Sequence, residues 1–567
     1  MRFNFDEKID RRGTGALKGD RPLGIDVMPD EVAQLWVADM DLACPPAVAE
    51  AVRRAADNRI FGYTSLKYMP RYFRAICDFY RRRFNWHIDS EDIVITAGVV
   101  PALRLAVQCL TARGDGVIIQ PPVYPPFYGA VRDWNRRIVS NPLIKDEKGY
   151  YTIDFEDLER CAAQKDTKML LFCSPHNPSG RAWSEQELRR LYEICHRNGV
   201  IIVSDEIHGD LTRIGVRHIP LQSLYPAAKD IITCTAPSKT FNIAGLERSH
   251  IIIPNEKFRE AFAPYTGYNT DPITAAAVTA AYEEGDEWLD AVRSYLDDNL
   301  DFLQRTLAQR LPRAVMWRPE ATYLAWVDLT AYCRDDPALQ KALLEHEAAY
   351  FQDGTRFGKE GRGFLRINAA GPTKAVKRGV DALADRLDRL RFGDELPALA
   401  LHAAWEGRIE IKRDGRQKLL VYLPSVNNCF TQLYLAKLTA ALEALQAARI
   451  ECFVITPDSS TALEHCLRRE AIPYCLLSDS EGAARRALRV KEAPSLRFLM
   501  NEADNSALAV IRKSGMELPD GSDLTRPAAF VCDTLGRVII ASYADTYSSV
   551  IQPAQVPAAV AKGGIRT

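Results

Sequence analysis

The chain has 567 residues, a formal net charge of −1 and 47% hydrophobic residues. This balance argues against binding to nucleic acid or an anionic membrane surface through bulk charge, and the length predicts two or three domains. No apolar run approaches the roughly 20 residues that cross a bilayer. The first residues lack an apolar signal core, and the 13 cysteines form no CxxC pair. We therefore expect a reduced, cytoplasmic protein without a metal site.

The first candidates in chain order suit a phosphate group and a planar ring. Gly98-Val99-Val100-Pro101 predicts the start of a helix, where free backbone amides favour an anion. Tyr124 lies in the rigid segment Pro-Pro-Val-Tyr-Pro-Pro at 121–126, which can hold an aromatic ring against a ligand. Taken alone, Tyr124 is better explained by core or loop packing.

Three apolar runs, at 168–173, 200–204 and 231–235, predict strands of a parallel sheet covered on both faces. A helix predicted over 184–198, with a capping box at its start, joins the first two strands into a βαβ unit. The carboxyl ends of such strands meet at one edge, where open α/β sheets bind ligands. The residues that follow the three runs are Asn177, then Asp205 and His208, then Ser238 and Lys239.

These residue types together predict a pyridoxal phosphate site. A partly desolvated Lys239 can form a Schiff base with an aldehyde. Asp205 facing a pyridine nitrogen keeps that nitrogen protonated. Asn177 can hydrogen-bond the phenolic oxygen, Ser238 and the helix start can hold the phosphate, and Tyr124 can stack on the ring. Each residue alone has an ordinary explanation, such as a surface lysine, a helix cap or an Asn-Pro turn, but their order and spacing favour the cofactor.

Arg366 is the candidate for binding a substrate carboxylate. It lies in the otherwise apolar strand predicted at 364–368, so its buried charge requires an anion. A guanidinium binds a carboxylate through two parallel hydrogen bonds. A structural ion pair is the alternative, and we favour the substrate.

Residues 1–392 resemble the MalY/PatB-type cystathionine β-lyases, which are carbon–sulfur lyases of the aminotransferase class I/II superfamily with fold type I. The resemblance implies an α/β fold with a large domain at about 50–290. It also implies a small domain built from the N-terminal segment and about 291–392. The motifs that carry it are Trp-Val-Ala-Asp-Met-Asp at 36–41, Phe-Gly-Tyr-Thr at 61–64, Gly-Val-Val-Pro at 98–101, Asp-Glu-Ile-His at 205–208, Pro-Glu-Ala-Thr-Tyr-Leu-Ala-Trp at 319–326 and Gly-Phe-Leu-Arg-Ile-Asn at 363–368.

The resemblance also implies roles for single residues. Lys239 holds the cofactor, Arg366 binds the substrate carboxylate, and Tyr63 reaches the phosphate of a neighbouring subunit, which implies a homodimer. His208 replaces the tyrosine of ordinary aminotransferases and favours the lyase branch. One departure stands out. Many aminotransferases place a phosphate-binding arginine eight residues after the lysine, where this chain has the anion Glu247, with Arg248 beside it.

The rest of the chain is an addition to the lyase pattern. Residues 393–408 are predicted to be a linker and 409–567 a second α/β domain. Its order of strand, helix, strand, helix and hairpin is typical of a thioredoxin-like fold. The predicted elements lie at 418–423, 431–447, 450–455, 461–470, 528–532 and 537–540.

Segments 455–459, 476–479 and 526–533 resemble peroxiredoxins of the alkyl hydroperoxide reductase/thiol-specific antioxidant family. That resemblance implies a redox-active Cys429 at a helix start, its pKa lowered by the helix dipole and by Arg526. Counted from Pro424, however, the threonine and cysteine of the family pattern fall on Asn428 and Thr431. A degenerate, non-catalytic domain is therefore the preferred interpretation.

The predicted function is β-elimination from an amino-acid thioether. Lys239 takes the α-proton and a thiolate leaves, giving pyruvate and ammonia. An aminotransferase shares the early steps and stays an open alternative. A non-catalytic, cofactor-binding regulatory protein is a second alternative, against which the intact set of site residues argues. The fusion itself suggests that the second domain handles the redox state of the released thiol.

Overall fold

The computed structural model describes residues 3–20, 32–334, 336–391, 393–405, 407–469, 472–501, 503–505, 507 and 522–562. The chain forms two compact units: Met1–Gln340 with Ala349–Val380, and Lys341–Ala348 with Asp381–Thr567. The boundary predicted at Phe392 and the helix end predicted at Glu470 lie outside the described residues. None of the helices in these ranges combines the length and the apolar composition that a bilayer crossing requires.

A seven-stranded sheet forms the centre of the first unit. Its neighbouring strands are parallel, except that Ser249–Ile252 runs antiparallel to both of its neighbours. The three predicted runs are strands of this sheet, which confirms their assignment. In spatial order the strands are Ile93–Thr96, Ser249–Ile252, Ile231–Thr235, Ile201–Asp205, Thr167–Cys173, Gly116–Ile119 and Arg137–Ser140.

Helices cover both faces of this sheet. Along one strand Leu170 and Phe172 pack into one core while Met169 and Leu171 pack into another, so the strand is apolar at successive positions. The predicted capping box is present. The Ser184 hydroxyl accepts a hydrogen bond from the Glu187 N–H, and the Glu187 carboxylate accepts one from the Ser184 N–H. The α-helices up to residue 310 are Leu17–Asp20, Pro46–Asp57, Pro70–Phe84, Val99–Leu110, Pro126–Arg132, Phe155–Ala162, Glu185–Arg197, Leu221–Leu224, Pro237–Thr240, Glu256–Phe262, Pro272–Glu284 and Asp286–Arg310.

A smaller, four-stranded sheet carries Arg366. Its order is Ala33–Leu35, Ala349–Asp353, Phe364–Asn368 and Leu324–Asp328, so a piece of the N-terminal segment pairs with strands from much later in the chain. In its strand Arg366 pairs with residues of both neighbouring strands. The helices Asp336–Glu347 and Thr373–Leu387 flank these strands in sequence, and two small two-stranded pairings join Thr64–Ser65 to Asn269–Thr270 and Ile144–Lys145 to Tyr151–Thr152.

The second unit has its own seven-stranded sheet with three parallel central strands. The stretch predicted as a linker contains a strand, because Leu399, Leu401 and Ala403 alternate inward. The helix predicted over 431–447 is two helices that meet at Ala441. In spatial order the strands are Gly407–Ile411, Leu399–Ala403, Cys475–Ser478, Ile450–Thr456, Gln417–Tyr422, Ala528–Cys532 and Val538–Tyr543, and the helices are Cys429–Ala440, Leu442–Ala447, Ser460–Arg469, Ala483–Ala487 and Val556–Ala561.

Candidate active site

A cavity of about 410 Å³ opens at the carboxyl ends of the parallel strands of the first unit. Three adjacent strands and the start of one helix contribute its polar lining, as expected for an open α/β sheet. The structure therefore brings together most of the predicted site residues. Those that line the cavity are Val99, Val100, Tyr124, Asn177, Asp205, His208, Ser238 and Lys239.

Lys239 presents its amine to this cavity from the short helix Pro237–Thr240. The amine Nζ donates a hydrogen bond to the backbone oxygen of Ala38 over 2.5 Å. Burial lowers the pKa of Lys239 to about 8, and the carboxylate of Asp39 opposes that change. A neutral, nucleophilic amine is therefore available near neutral pH, which an ordinary lysine with a pKa of about 10.4 does not offer.

Asp205 ends the strand Ile201–Asp205 and is buried at the cavity. It accepts a hydrogen bond from the backbone N–H of Ile207 over 3.2 Å. Burial raises the pKa of Asp205 to about 7, because a carboxylate shielded from water is costly without a cation. A protonated ring nitrogen placed against this carboxyl would supply that cation and restore the ionised form.

Arg366 bonds Asn177, one of the residues that line the cavity. The guanidinium donates to Asn177 Oδ1 over 3.2 Å and to the Trp36 backbone oxygen over 2.9 Å, and it lies 5.0 Å from the centroid of Phe357. Among the described residues its Nε has no partner. Burial lowers the pKa of Arg366 to about 10, so the charge stays and calls for an anion.

Backbone amides and one arginine offer a place for a phosphate. Gly98 precedes the helix Val99–Leu110, and Val99 and Val100, whose N–H groups have no partner within the helix, border the cavity. Arg248 also borders the cavity, and its Nε is buried with no partner among the described residues. The next residue, Ser249, pairs with Thr96, which places Arg248 beside the turn that leads into this helix. The arginine that the sequence pattern lacks at Glu247 is thus present one position later.

Three further predicted residues have different surroundings. His208 is buried, and burial lowers its pKa to about 3, so its imidazole is neutral. Tyr124 is partly buried at the cavity, and burial raises the pKa of its hydroxyl. Tyr63 lies outside the cavity and is fully exposed.

Sequence reasoning missed two parts of this site. Ala38 contributes a backbone oxygen, which no side-chain pattern reveals. Cys173, the last residue of the strand Thr167–Cys173, borders the cavity and accepts a hydrogen bond from the Asn177 N–H over 3.4 Å. Its position at a strand end, directly before the polar segment that contains Asn177, is the signal that could have identified it.

The predicted redox pair of the second unit differs from expectation. Cys429 does begin the helix Cys429–Ala440, but it is buried and burial raises the pKa of its thiol instead of lowering it. Arg526 donates to the Glu347 carboxylate over 2.5 Å, and both side chains are buried. The charge expected to activate Cys429 is therefore neutralised by Glu347. Thr431, at the position of the family cysteine, donates its hydroxyl to the Pro424 oxygen.

The donor set of the cavity fits pyridoxal phosphate. A buried carboxyl suits the ring nitrogen, an amide suits the phenolic oxygen, and an amine of lowered pKa suits the aldehyde. The helix start and the unpaired guanidinium nitrogen of Arg248 suit the phosphate. Asn177, Asp205, Ser238 and Lys239 would thus hold the cofactor from the ends of three adjacent strands.

The chain is similar to named lyases over about two thirds of its length. It is 40% identical over 383 residues to "Cystathionine beta-lyase PatB" of Bacillus subtilis, covering 67% of this chain and 98% of that protein. "Protein MalY" of Escherichia coli is 34% identical over 398 residues, covering 69% and 100%. The structure of cystalysin from Treponema denticola, which contains pyridoxal 5'-phosphate, has 37% identity and a TM-score of 0.65, covering 68% and 99%.

A PLP-bound C–S lyase from Staphylococcus hominis has 36% identity and a TM-score of 0.64, and the match covers 68% of this chain and 99% of that one. The family described as "Aminotransferase class I and II" matches residues 30–383. That range holds every residue that borders the cavity, together with Arg366. The chain therefore belongs to the aminotransferase class I and II family.

Proposed function

We propose that the first unit is a pyridoxal-phosphate-dependent carbon–sulfur β-lyase. Its substrate is cystathionine or another cysteine S-conjugate, and its products are a thiol, pyruvate and ammonia. The observation that carries this proposal is that a low-pKa amine and a buried carboxyl border one cavity, while the buried guanidinium of Arg366 bonds the cavity residue Asn177. The names of two relatives support elimination over transamination, since the Bacillus subtilis protein at 40% identity is called a cystathionine beta-lyase and the Staphylococcus hominis structure at 36% identity is called a C–S lyase.

Each side chain has a separate task in this reaction. When bound, pyridoxal phosphate withdraws electrons from the carbon that loses its proton. Arg366 binds the substrate carboxylate, because its Nε has no partner among the described residues and its two hydrogen bonds go to uncharged oxygens, those of Asn177 and Trp36. Asp205 in its ionised form keeps the ring nitrogen protonated. His208, which stays neutral, adds a polar edge without adding charge that would compete with these ions.

Lys239 is the general base of the proposal. One N–H of its amine donates to the Ala38 oxygen, which orients the nitrogen and leaves its lone pair free to accept the α-proton. With a pKa of about 8, roughly a tenth of the amine is neutral at pH 7. Arg366 fixes the substrate carboxylate, so the α-carbon has only a small range of positions relative to this nitrogen.

The active form is proposed to be a cytoplasmic homodimer in which Tyr63 reaches the phosphate of the neighbouring subunit. An exposed apolar patch supports this, since Ile60, Phe61, Tyr63 and Tyr68 are each more than 60% exposed. A groove of about 590 Å³ lies beside them against the helix Pro272–Glu284. Buried cysteines such as Cys161, Cys195 and Cys234 are free thiols, which supports a reducing compartment.

The second unit is proposed to be a degenerate, peroxiredoxin-like domain with a thioredoxin-like fold. Support for the fold comes from its central βαβ unit followed by an antiparallel hairpin in the same sheet. Support for degeneracy comes from the raised pKa of Cys429 and from the engagement of Arg526 by Glu347. A role in handling the released thiol rests on the fusion alone.

The test is to incubate the full-length protein with L-cystathionine and a panel of cysteine S-conjugates. Pyruvate, ammonia and free thiol are measured together, and Lys239→Ala serves as the inactive control. Equal release of all three, lost in the variant, is expected. If the cofactor is converted to its amine form and no pyruvate appears, the protein is an aminotransferase. Binding of the cofactor without either reaction indicates the regulatory alternative.

A further inference from the structure

Side chains bond six of the seven backbone oxygens of the segment Trp36–Leu42. Two of these side chains, Lys239 and Arg366, are the base and the carboxylate-binding group of the proposed reaction. They bond oxygens only two residues apart, so two peptide units set the spacing between the amine and the guanidinium. The bonds run from Arg366 to Trp36, Asn368 to Val37 and Asp39, Lys239 to Ala38, Lys18 to Asp39, Arg11 and Asn242 to Met40, and Asn242 to Leu42.

Asn368 has the central position in this arrangement. Its Nδ2 donates to the Val37 oxygen over 2.6 Å and to the Asp39 oxygen over 2.8 Å, one on each side of Ala38. Its Oδ1 accepts from the Ala370 N–H over 2.8 Å, so its orientation is fixed. Asn368 is buried and lies two residues after Arg366 on the same strand, which places both side chains on one face of the small sheet.

We propose that Asn368 is a positioning residue, which holds the Trp36–Leu42 segment so that Lys239 and Arg366 keep the separation that the reaction needs. This inference rests on the proposed function. Asn368 does not border the cavity, so its effect passes through the Ala38 and Trp36 oxygens. Loss of its two bonds would let the Ala38 oxygen move, and a displacement of about 1 Å at a reacting group costs on the order of 100-fold in rate.

The chain offers a matched control in Asn141. This asparagine is also fully buried, and its Nδ2 also donates twice, to the Asp154 backbone oxygen over 3.0 Å and to the Asp157 carboxylate over 2.9 Å. Asn141 does not border the cavity, and its bonds lie outside the Trp36–Leu42 segment. The variants Asn368→Ala and Asn141→Ala therefore remove similar hydrogen bonds, and only the first loosens the support of the amine and the guanidinium.

Three measurements on the full-length protein test the proposal. Hydrogen–deuterium exchange of the peptide containing 36–42, without added cofactor, reports the segment itself. Exchange of the α-hydrogen of L-alanine with deuterated water reports proton transfer by Lys239 and requires no C–S bond. Competitive inhibition by propionate reports Arg366. For Asn368→Ala we expect at least tenfold faster amide exchange, about 100-fold slower α-hydrogen exchange and about tenfold weaker inhibition. Asn141→Ala is expected to stay within threefold of the parent protein in all three.

Other outcomes have a single meaning each. A loosened segment with unchanged α-hydrogen exchange and inhibition would overturn the proposal, as would equal losses in both variants. Should Asn368→Ala fail to fold, Asn368→Asp keeps the shape and the bond from Ala370 but cannot donate to both oxygens, and the same losses are expected. If the parent protein exchanges the α-hydrogen of alanine but releases no thiol, the proposed lyase activity fails while this inference is still tested.

Discussion

Replacing Arg248 with methionine should weaken the binding of pyridoxal phosphate and leave the binding of pyridoxal unchanged. Arg248 borders the cavity beside the helix start, and its Nε has no partner among the described residues. One terminal nitrogen, Nη2, donates to the Thr270 hydroxyl over 3.3 Å, so within the described part of the chain the Nε is left for an anion. Methionine keeps much of the apolar stem and removes the charge.

The magnitude follows from the kind of contact that is lost. A hydrogen bond to a charged group contributes about 1.5–3 kcal/mol, which corresponds to roughly 10- to 150-fold in the dissociation constant. Glu247 gives a test of the opposite sign, because it also borders the cavity and its negative charge opposes a phosphate. Glu247→Gln should therefore bind pyridoxal phosphate more tightly than the parent protein.

The assay is titration of the full-length, cofactor-free protein with each vitamer, followed by tryptophan fluorescence. Arg217→Met is the matched control, since Arg217 is exposed and also makes one hydrogen bond of 3.3 Å, to the Phe84 oxygen. The ratio of the two dissociation constants isolates the phosphate. If Arg248→Met weakens the binding of both vitamers equally, the ratio of their dissociation constants is unchanged. That result would refute a role at the phosphate and show that the arginine only supports the fold.

Three other predictions concern a titration, a buried ion pair and a thiol. Burial disfavours the charged amine of Lys239, so its reaction with an amine-directed reagent in the cofactor-free protein should rise with pH and level off above about pH 8, where ordinary lysines are still protonated. The modification of Lys239 is measured by mass spectrometry of its peptide, and a midpoint of the pH dependence near 10.4 would contradict this prediction. Glu347→Gln leaves the buried Arg526 without its closest carboxylate, and it should destabilise the second unit by about 3–5 kcal/mol in urea unfolding followed by circular dichroism. A loss below about 1 kcal/mol would show that Asp545, 3.8 Å away, is a sufficient partner. Cys429→Ser should leave peroxide consumption and thiol turnover unchanged, because the thiol is buried with a raised pKa, and a loss of peroxide consumption would restore the redox role.

The cavity residues were predictable because the end of a buried strand is marked in the sequence by a change from apolar to polar residues. Buried strands end at Cys173, Asp205 and Thr235, within four residues of Asn177, Asp205 and Lys239, and parallel strands bring their carboxyl ends to one edge. The capping box likewise fixed one helix start from two residues. In these cases the physical cause lies within a few positions of the feature that it produces.

The remaining features depend on partners that are distant in sequence. The Ala38 oxygen meets Lys239 across 201 positions, and a backbone oxygen is the same at every residue, so no composition marks it. Arg526 was assigned by pattern to Cys429, but it bonds Glu347, which precedes it by 179 positions. The strand at Leu399–Ala403 was missed because its run is short and mixed in polarity.

The support of the Trp36–Leu42 segment has a consequence for biosynthesis. Arg366 and Asn368 bond oxygens that precede them by 330 and 331 positions, so a growing polypeptide carries this segment without those partners until the small sheet has been translated. The groups that suit the cofactor, from Val99 to Arg248, emerge more than 100 residues earlier. Domains fold as units during synthesis, with N-terminal parts first. A nascent chain can therefore bind the cofactor before the residues that bind the amino-acid substrate have been translated.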